Sequence, residues 1–185
     1  MKEYSKHQIR RYKDLNDMYF ELVFQRGDLK FAPGDQLTLY NYTDKPSAFI
    51  ASGINEVWTR LILNRQVYKE LYNDLEQGKR SIKINRQVIN TFPDLITKER
   101  PSFIFDSSGI GPFFSYISTY PSAKCKVYYV GDHKIQKEWI RGFHQIVDKP
   151  GKLKGKISLY ITGTKDIIEK KCKKLLAAAE SYLYE

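Results

Sequence analysis

The spacing of hydrophobic residues changes near the middle of the chain, and this change restricts the possible folds more than any other feature. Before residue 90, alternating runs such as Tyr19–Phe24 and Val57–Leu63 are separated by turn residues such as Pro33-Gly34-Asp35. Short strands joined by turns are typical of an antiparallel barrel or sandwich. After residue 101, apolar strands alternate with helical patterns, which favours a parallel sheet covered by helices. We therefore predict two domains, with the junction within 90–101.

Two helical patterns are clear enough to place. Val67, Leu71 and Leu75 recur every four residues, which predicts the buried face of a short helix that ends at Gly78. Near the end of the chain, a second helix is predicted from an apolar stripe opposite a row of lysines. The stripe consists of Ile168, Cys172, Leu175, Leu176, Ala179 and Leu183.

Composition excludes several classes of protein. No apolar run in the 185 residues approaches the roughly 20 that a transmembrane helix needs, so we expect no membrane association. The segment Met1–Lys6 lacks the apolar stretch of a secretory signal. The two cysteines, Cys125 and Cys172, form no disulfide framework, which suits a reducing compartment. We therefore expect a cytoplasmic protein. Two cysteines and three histidines without ligand spacing predict no metal site.

The net charge of +10 leaves three kinds of partner open: nucleic acid, an anionic cofactor or an acidic protein. The chain carries no RNA-binding module and no helix-turn-helix pattern, so nucleic acid is the least favoured of the three. No catalytic residue can be assigned, because Ser107 and Ser108 lie in no nucleophile elbow and no histidine accompanies them.

The segment Phe103–Phe113 reads as a strand, a turn of small residues and the start of a helix. Small residues let a ligand approach the backbone, and the N–H groups at a helix start favour phosphate. Pro112 fits the first helical position, where a missing N–H costs nothing. An ordinary strand-to-helix turn, with glycines needed only for its geometry, remains the alternative.

The order of these segments resembles the ferredoxin-NADP⁺ reductase superfamily. Ser108–Phe113 is similar to the family's Thr-Gly-Ile-Ala-Pro-Phe turn, and Phe31–Leu37 to its strand entry with a Pro-Gly turn. Ile50-Ala51-Ser52 matches the end of the family's flavin-binding strand, and Thr162-Gly163 takes the place of its Cys-Gly pair. The resemblance covers most of the chain from about Tyr19 onward.

The resemblance implies a ferredoxin reductase-like fold with two domains. Residues 1–97 would form an antiparallel β-barrel domain that binds the flavin. Residues 98–185 would form a small α/β domain with a parallel sheet that binds the nicotinamide nucleotide. NAD(P)H would then reduce FAD, and the flavin would pass electrons to an acceptor such as an acidic ferredoxin or flavodoxin. The implied cofactor-binding residues are Lys45, Ser47, Phe49, Ile50, Ala51, Ser52, Arg65, Ser108, Gly109, Ile110, Gly111, Pro112, Thr162, Gly163 and Tyr184.

Several positions depart from the family pattern. Pro46-Ser47-Ala48-Phe49 stands in place of the flavin signature Arg-x-Tyr-Ser, and Arg65–Tyr68 in place of Gly-x-x-Ser. Asp106 replaces a glycine where phosphate should approach, and Thr162 replaces the cysteine near the nicotinamide. These losses leave a second hypothesis open, in which the reductase-like fold binds no cofactor and serves as a non-catalytic binding or structural module.

Overall fold

The structure of the protein is a computed structural model. The residues that the structure describes are 4–32, 35–43, 48–53, 57–85, 89–90, 101–106, 109–120, 122, 125–130, 159–163 and 165–176.

The described chain contains ten strands and three helices. The strands are β1 (Tyr4–Asp14), β2 (Tyr19–Gln25), β3 (Asp35–Leu37), β4 (Ala48–Gly53), β5 (Trp58–Asn64), β6 (Ser81–Asn85), β7 (Ile89–Asn90), β8 (Ser102–Phe105), β9 (Lys126–Tyr129) and β10 (Leu159–Thr162). The helices are α1 (Lys69–Glu76), α2 (Ile110–Thr119) and α3 (Lys165–Leu176). None of the described helices is long and apolar enough to cross a membrane.

The first seven strands form one antiparallel sheet in the order β6-β1-β2-β5-β4-β3-β7. Residues that follow β3 bond to the opposite end of this sheet: the Tyr40 N–H donates to the Lys83 carbonyl (2.9 Å), and the Asn85 N–H donates to the Thr38 carbonyl (3.1 Å). Because these bonds join β3 to β6, the sheet closes on itself. The predicted antiparallel barrel is confirmed, and the sandwich is excluded.

Alternation along the strands builds the barrel core. Leu61 and Leu63 of β5 point inward together with Phe20, Leu22 and Phe24 of β2, and all five are almost completely buried. Burial of each such side chain stabilises the fold by about 1.5–3 kcal/mol. The intervening residues of β5 lie on the outer face, because successive strand residues point to opposite sides of a sheet.

The longest strand, β1, was not predicted from the sequence. Its first half, Tyr4–Gln8, pairs with β6, and its second half pairs with β2, with a register shift between Ile9 and Arg11. Residues 10–14 are all exposed, so the segment lacks the alternation of buried and exposed residues that reveals a strand. Backbone pairing with β6 and β2 holds this strand in place, and burial of its side chains contributes little.

Helix α1 begins two residues later than its apolar spacing predicts. The side chain of Asn64 accepts hydrogen bonds from the N–H groups of Gln66 (2.8 Å) and Val67 (3.2 Å), which holds this segment in a turn before the helix. Val67 is therefore 64% exposed, and its predicted place on the buried face was wrong. Gly78 follows the helix with φ of +91°, a conformation that favours glycine.

The second sheet is parallel, with β8 between β10 and β9. Helix α3 buries Ile168 and Cys172 against Ile104 of β8 and Ile161 of β10. The parallel sheet and the amphipathic helix are therefore confirmed as predicted, although Ala179 and Leu183 of the apolar stripe lie outside the described residues. Helix α2 starts at Ile110, so Pro112 is its third residue and not its first as predicted; the N–H is still unneeded there.

The chain divides into two compact units. The first consists of Met1–Pro93 together with Gly111–Tyr120, and the second of Asp94–Ile110 together with Pro121–Glu185. Most of α2 therefore belongs to the unit that contains the barrel. The predicted domain boundary at residue 97 lies outside the described residues and stays a prediction.

Candidate functional site

Asp106 and Gly163, two positions discussed above from the sequence, lie together at the carboxyl edge of the parallel sheet. Phe105 at the end of β8 pairs with Thr162 at the end of β10, so Asp106 and Gly163, the next residues of each strand, are neighbours. In open parallel sheets, ligands bind at this edge. Of the predicted nucleotide-binding residues, Thr162, Gly163 and Gly109 are placed here.

Asp106 lies inside the turn between β8 and α2. Its side chain is almost completely buried, and its Oδ1 accepts a hydrogen bond from the N–H of Gly109 (3.2 Å). The carboxylate also packs against Gly163, whose φ is +130°; a Cβ atom at Gly163 would lie 2.7 Å from the Asp106 Cγ. Gly163 is therefore required both by its backbone conformation and by the space that Asp106 occupies.

Helix α2 provides the other predicted nucleotide-binding residues. Ile110, Gly111 and Pro112 form its first turn and are all buried. The first turn of a helix presents N–H groups without intrahelical partners, which suits an anion, but Pro112 supplies none. The N–H of Gly109, directly before this turn, already donates to Asp106.

The predicted flavin strand forms β4 of the barrel. The described positions Phe49, Ile50, Ala51 and Ser52 lie in this strand. Position 52 is paired with Arg60 of β5, and a register shift separates this pair from the pair of Ile50 with Leu61. The remaining predicted residues Lys45, Ser47, Ser108 and Tyr184 lie outside the described residues.

Arg60 was not predicted as a site residue. It lies on the outer face of β5, and its Cζ is 5.3 Å from the centre of the Phe114 ring of α2, a cation–π contact. Its Nε is buried, and no acceptor among the described residues bonds to it. Desolvation by burial lowers the pKa of the Arg60 guanidinium, while nearby Glu21 acts in the opposite direction. Charged residues on outward strand positions are common, so the sequence carried no signal for it.

Arg65, one of the predicted cofactor-binding residues, is engaged with a carboxylate of its own chain. Its Nη2 lies 2.6 Å from Asp14 Oδ1, and its Cζ lies 4.4 Å from the centre of the Tyr72 ring. The Tyr72 hydroxyl donates to both oxygens of Asp14 (3.0 and 3.1 Å). Burial, followed by this hydrogen bond, raises the pKa of Tyr72 to about 12. The charge of Arg65 is therefore balanced inside the barrel unit.

A cavity of about 380 Å³ lies beside this cluster. It is lined by Arg65, Lys69 and Tyr72, and by Asp17 and Met18 of the turn between β1 and β2. The cavity contains cations and a carboxylate together, so it has no clear preference for a charged ligand. Among the described residues, no group of histidine, cysteine or carboxylate side chains could hold a metal ion.

Comparison with solved structures finds this architecture in electron-transfer reductases. A ferredoxin NADP⁺ reductase from Neisseria gonorrhoeae with bound FAD and NADP superposes with a TM-score of 0.65 at 12% identity, over 98% of each chain. The flavohaemoglobin-like FAD/NAD-binding domain of a nitric oxide dioxygenase from Vibrio cholerae gives 0.70 at 15% identity, over 97% of each chain.

The chain has a ferredoxin reductase-like fold. A third structure with this fold is the ferredoxin-NADP⁺ reductase of Plasmodium falciparum with 2′P-AMP. It gives a TM-score of 0.67 at 15% identity, and the match covers 100% of this chain and 99% of the reductase chain. No family model and no curated protein matches the sequence. The ferredoxin reductase-like fold is therefore retained here with very little of the sequence that accompanies it elsewhere.

Proposed function

We propose that the protein is a flavin-dependent NAD(P)H oxidoreductase that passes electrons from NAD(P)H through FAD to an acceptor protein. The observation that carries this proposal is the presence of both parts of the ferredoxin reductase-like fold, the closed barrel and the parallel sheet, in one chain. Neighbours that share both parts over 97–98% of their chains include one with bound FAD and NADP and one FAD/NAD-binding domain.

The barrel fits a flavin. Arg60 presents a buried Nε without a described acceptor directly beside position 52 of the predicted flavin strand. A buried donor without a partner is costly, and a bound group with acceptor atoms removes that cost. When bound, the flavin supplies the redox chemistry, and the protein supplies orientation and electrostatics. In this proposal β4 holds the ring through its backbone, and Arg60 provides a donor and a positive charge.

The turn after β8 fits a dinucleotide less well. The Gly109 N–H already donates to Asp106, and the buried carboxylate adds a negative charge where phosphate would approach. This site therefore does not fit a pyrophosphate bound through Gly109, and we derive no step through such a contact. The first turn of α2 and residues Thr162 and Gly163 remain the proposed nucleotide contacts.

The acceptor in this proposal is an acidic electron carrier. The protein has a net charge of +10, and Lys170 and Lys173 on α3 and Arg10, Arg11 and Lys13 on β1 are exposed. Opposite charges on two proteins accelerate their encounter more than they increase their affinity. A carrier such as a ferredoxin or flavodoxin meets this requirement.

An absorption spectrum tests the flavin proposal directly. The purified protein, or the protein after incubation with FAD and gel filtration, is expected to retain the visible absorption band of oxidised flavin, and this band should bleach on addition of NADPH. Heat-denatured protein treated in the same way serves as the control for nonspecific retention. If the native protein retains no flavin under these conditions, the proposal is wrong.

The second candidate is a non-catalytic binding or structural module. It is favoured by two observations: Asp106 occupies the phosphate side of the turn, and Asp14 neutralises Arg65. This candidate predicts no reduction of a dye acceptor by NADPH in the presence of FAD. A dye-reduction rate that depends on both NADPH and FAD would exclude it.

A further inference from the structure

Arg60 is a partly buried cation on the outer face of the barrel, and no residue that the structure describes forms an ion pair with it. In β5 it alternates with Thr59 and Leu61, which are fully buried toward the barrel interior. The ring of Phe114 on α2 covers the guanidinium at 5.3 Å. Its Nε is buried and bonds to no acceptor among the described residues.

Glu21, the carboxylate whose charge acts on Arg60, is already engaged. Arg11, Glu21 and Arg60 lie on the same face of strands β1, β2 and β5, since Val23 pairs with both arginines and Glu21 is two residues from Val23. Glu21 is buried, and its Oε1 accepts a hydrogen bond from Arg11 Nη2 at 2.9 Å. Two guanidinium groups therefore share one carboxylate, and Lys13 pairs with the same residue across β1 and β2, so at least one positive charge of these described residues is in excess.

Burial and charge act together at this position. Desolvation lowers the pKa of Arg60, Glu21 raises it, and Arg11 lowers it further. A bound anion would relieve both unfavourable effects, because it supplies an acceptor and a negative charge at once. The cluster therefore has the features of an anion-binding site for a single negative charge.

The position of Arg60 indicates which anion this is. Position 52 of β4, the end of the predicted flavin strand, is paired with Arg60 across the sheet. Resting on the flavin function proposed above, we propose that Arg60 binds the negatively charged edge of a reduced flavin held beside β4, and so favours the reduced form over the oxidised form.

The charge balance supports this choice. Addition of two electrons and one proton, the equivalent of the hydride that NAD(P)H donates, leaves one more negative charge on the flavin ring. A protein cation near ring atom N1 is a recognised way to tune the flavin's electronics. A guanidinium screened from water by Phe114 interacts with that charge more strongly than an exposed lysine would.

The test compares the affinity of the protein for FAD reduced with dithionite and for oxidised FAD, under anaerobic conditions, for the wild type and three variants. Arg60→Gln removes the charge, and Arg60→Lys retains it. Lys6→Gln, an exposed position on β1 that pairs with Lys83 and not with Glu21, is the matched control for loss of one positive charge. Thermal unfolding of each variant checks that its fold is retained.

We expect the ratio of reduced to oxidised affinity to fall at least about tenfold in Arg60→Gln, which equals a shift of about 30 mV for a two-electron couple. The ratio should change less than about threefold in Arg60→Lys and in Lys6→Gln. If oxidised FAD binds and the ratio is unchanged in Arg60→Gln, this inference alone is overturned. If neither form of FAD binds to the wild type, the proposed function fails and the inference with it. Should Arg60→Gln not fold, an equal ratio in Arg60→Met or in Arg60→Ser, whichever folds, would overturn the inference.

Discussion

Asp106 shows how a single side chain changes what a turn can bind. Its carboxylate accepts a hydrogen bond from the N–H of Gly109 and lies against Gly163. The turn therefore carries a buried carboxylate at the edge where parallel sheets bind ligands. The conflict with phosphate was predicted from charge alone. The hydrogen bond to Gly109 depends on the conformation of the turn itself, and the contact with Gly163 depends on the meeting of two strand ends 57 residues apart in sequence, so neither was predicted.

Replacement of Asp106 by asparagine should increase the affinity for NADP⁺. Asparagine keeps an oxygen that can accept the Gly109 N–H, so the turn is preserved while the negative charge is removed. Removal of a repulsion of about 1 kcal/mol corresponds to roughly fivefold tighter binding, measurable by isothermal titration calorimetry. Asp166→Asn, an exposed carboxylate of α3, is the control. An unchanged NADP⁺ affinity in Asp106→Asn would show that the carboxylate does not oppose phosphate.

At the scale of elements, Tyr72 of α1 connects the helix to two strands of the barrel. Tyr72 packs edge-on against Phe20 (5.2 Å between ring centres) and Tyr12 (6.1 Å), while Arg65 covers its face. Its hydroxyl joins the helix to Asp14 at the end of β1. Tyr72 thus attaches the helix to the neighbouring strands β1 and β2, in addition to the core contacts of Leu71 and Leu75.

Replacement of Tyr72 by phenylalanine should destabilise the fold at pH 7 by about 1 kcal/mol, because the hydrogen bond to Asp14 is lost. The pKa of Tyr72 is raised to about 12 by burial and by Asp14, above the ordinary value near 10 in the unfolded chain. As pH rises from 10 to 12, the unfolded chain therefore loses this proton first, and the advantage of the wild type over Tyr72→Phe should decrease. Urea unfolding measured across this pH range gives both quantities.

A double-mutant cycle with Asp14→Asn separates the hydrogen bond from the packing of the ring. The effect of Tyr72→Phe should be clearly smaller in the Asp14→Asn background. An equal effect in both backgrounds would mean that the Asp14 interaction does not contribute to the stability of α1.

The elements also show what a sequence can and cannot reveal. Strand β5 was predicted because burial on one face forces alternation, β2 because it is a mostly apolar run that is buried on both faces, and α3 because its buried stripe has a helical period. Strand β1 was missed because pairing on both sides holds it without burial of alternate residues. Arg60 was missed for a related reason: an outward-facing arginine in a strand looks like a solvent-exposed residue until the element that covers it, α2, is placed.

At the scale of the whole molecule, charge is the property that the sequence established most directly. The chain carries 31 Lys and Arg residues against 21 Asp and Glu residues. Several of the acidic side chains are engaged in ion pairs, as Glu21 is with Arg11 and Asp74 with Lys79. The field around the protein is therefore set by its excess of positive charge, and such fields act over about 10 Å at 0.1 M salt.

Electron transfer to an acidic carrier should depend strongly on ionic strength. We expect the second-order rate constant for reduction of an acidic ferredoxin to fall at least about tenfold between low and high salt, because steering by opposite charges is screened. Stopped-flow measurement with a neutral quinone as acceptor provides the control, for which little change is expected. A ferredoxin rate that is independent of salt would exclude an electrostatically guided partner.

The pairing of β1 with β6 has a consequence for synthesis of the chain. Tyr4 pairs with Asn85, so the first half of β1 leaves the ribosome about 80 residues before its partner exists. At about 5–20 residues per second, this interval lasts roughly 4–16 s. An unpaired strand edge invites wrong pairing, and charged residues discourage it. The lysine and arginine residues of β1 therefore oppose wrong pairing of this strand in the nascent chain until α1 and β6 have been made and the barrel can close.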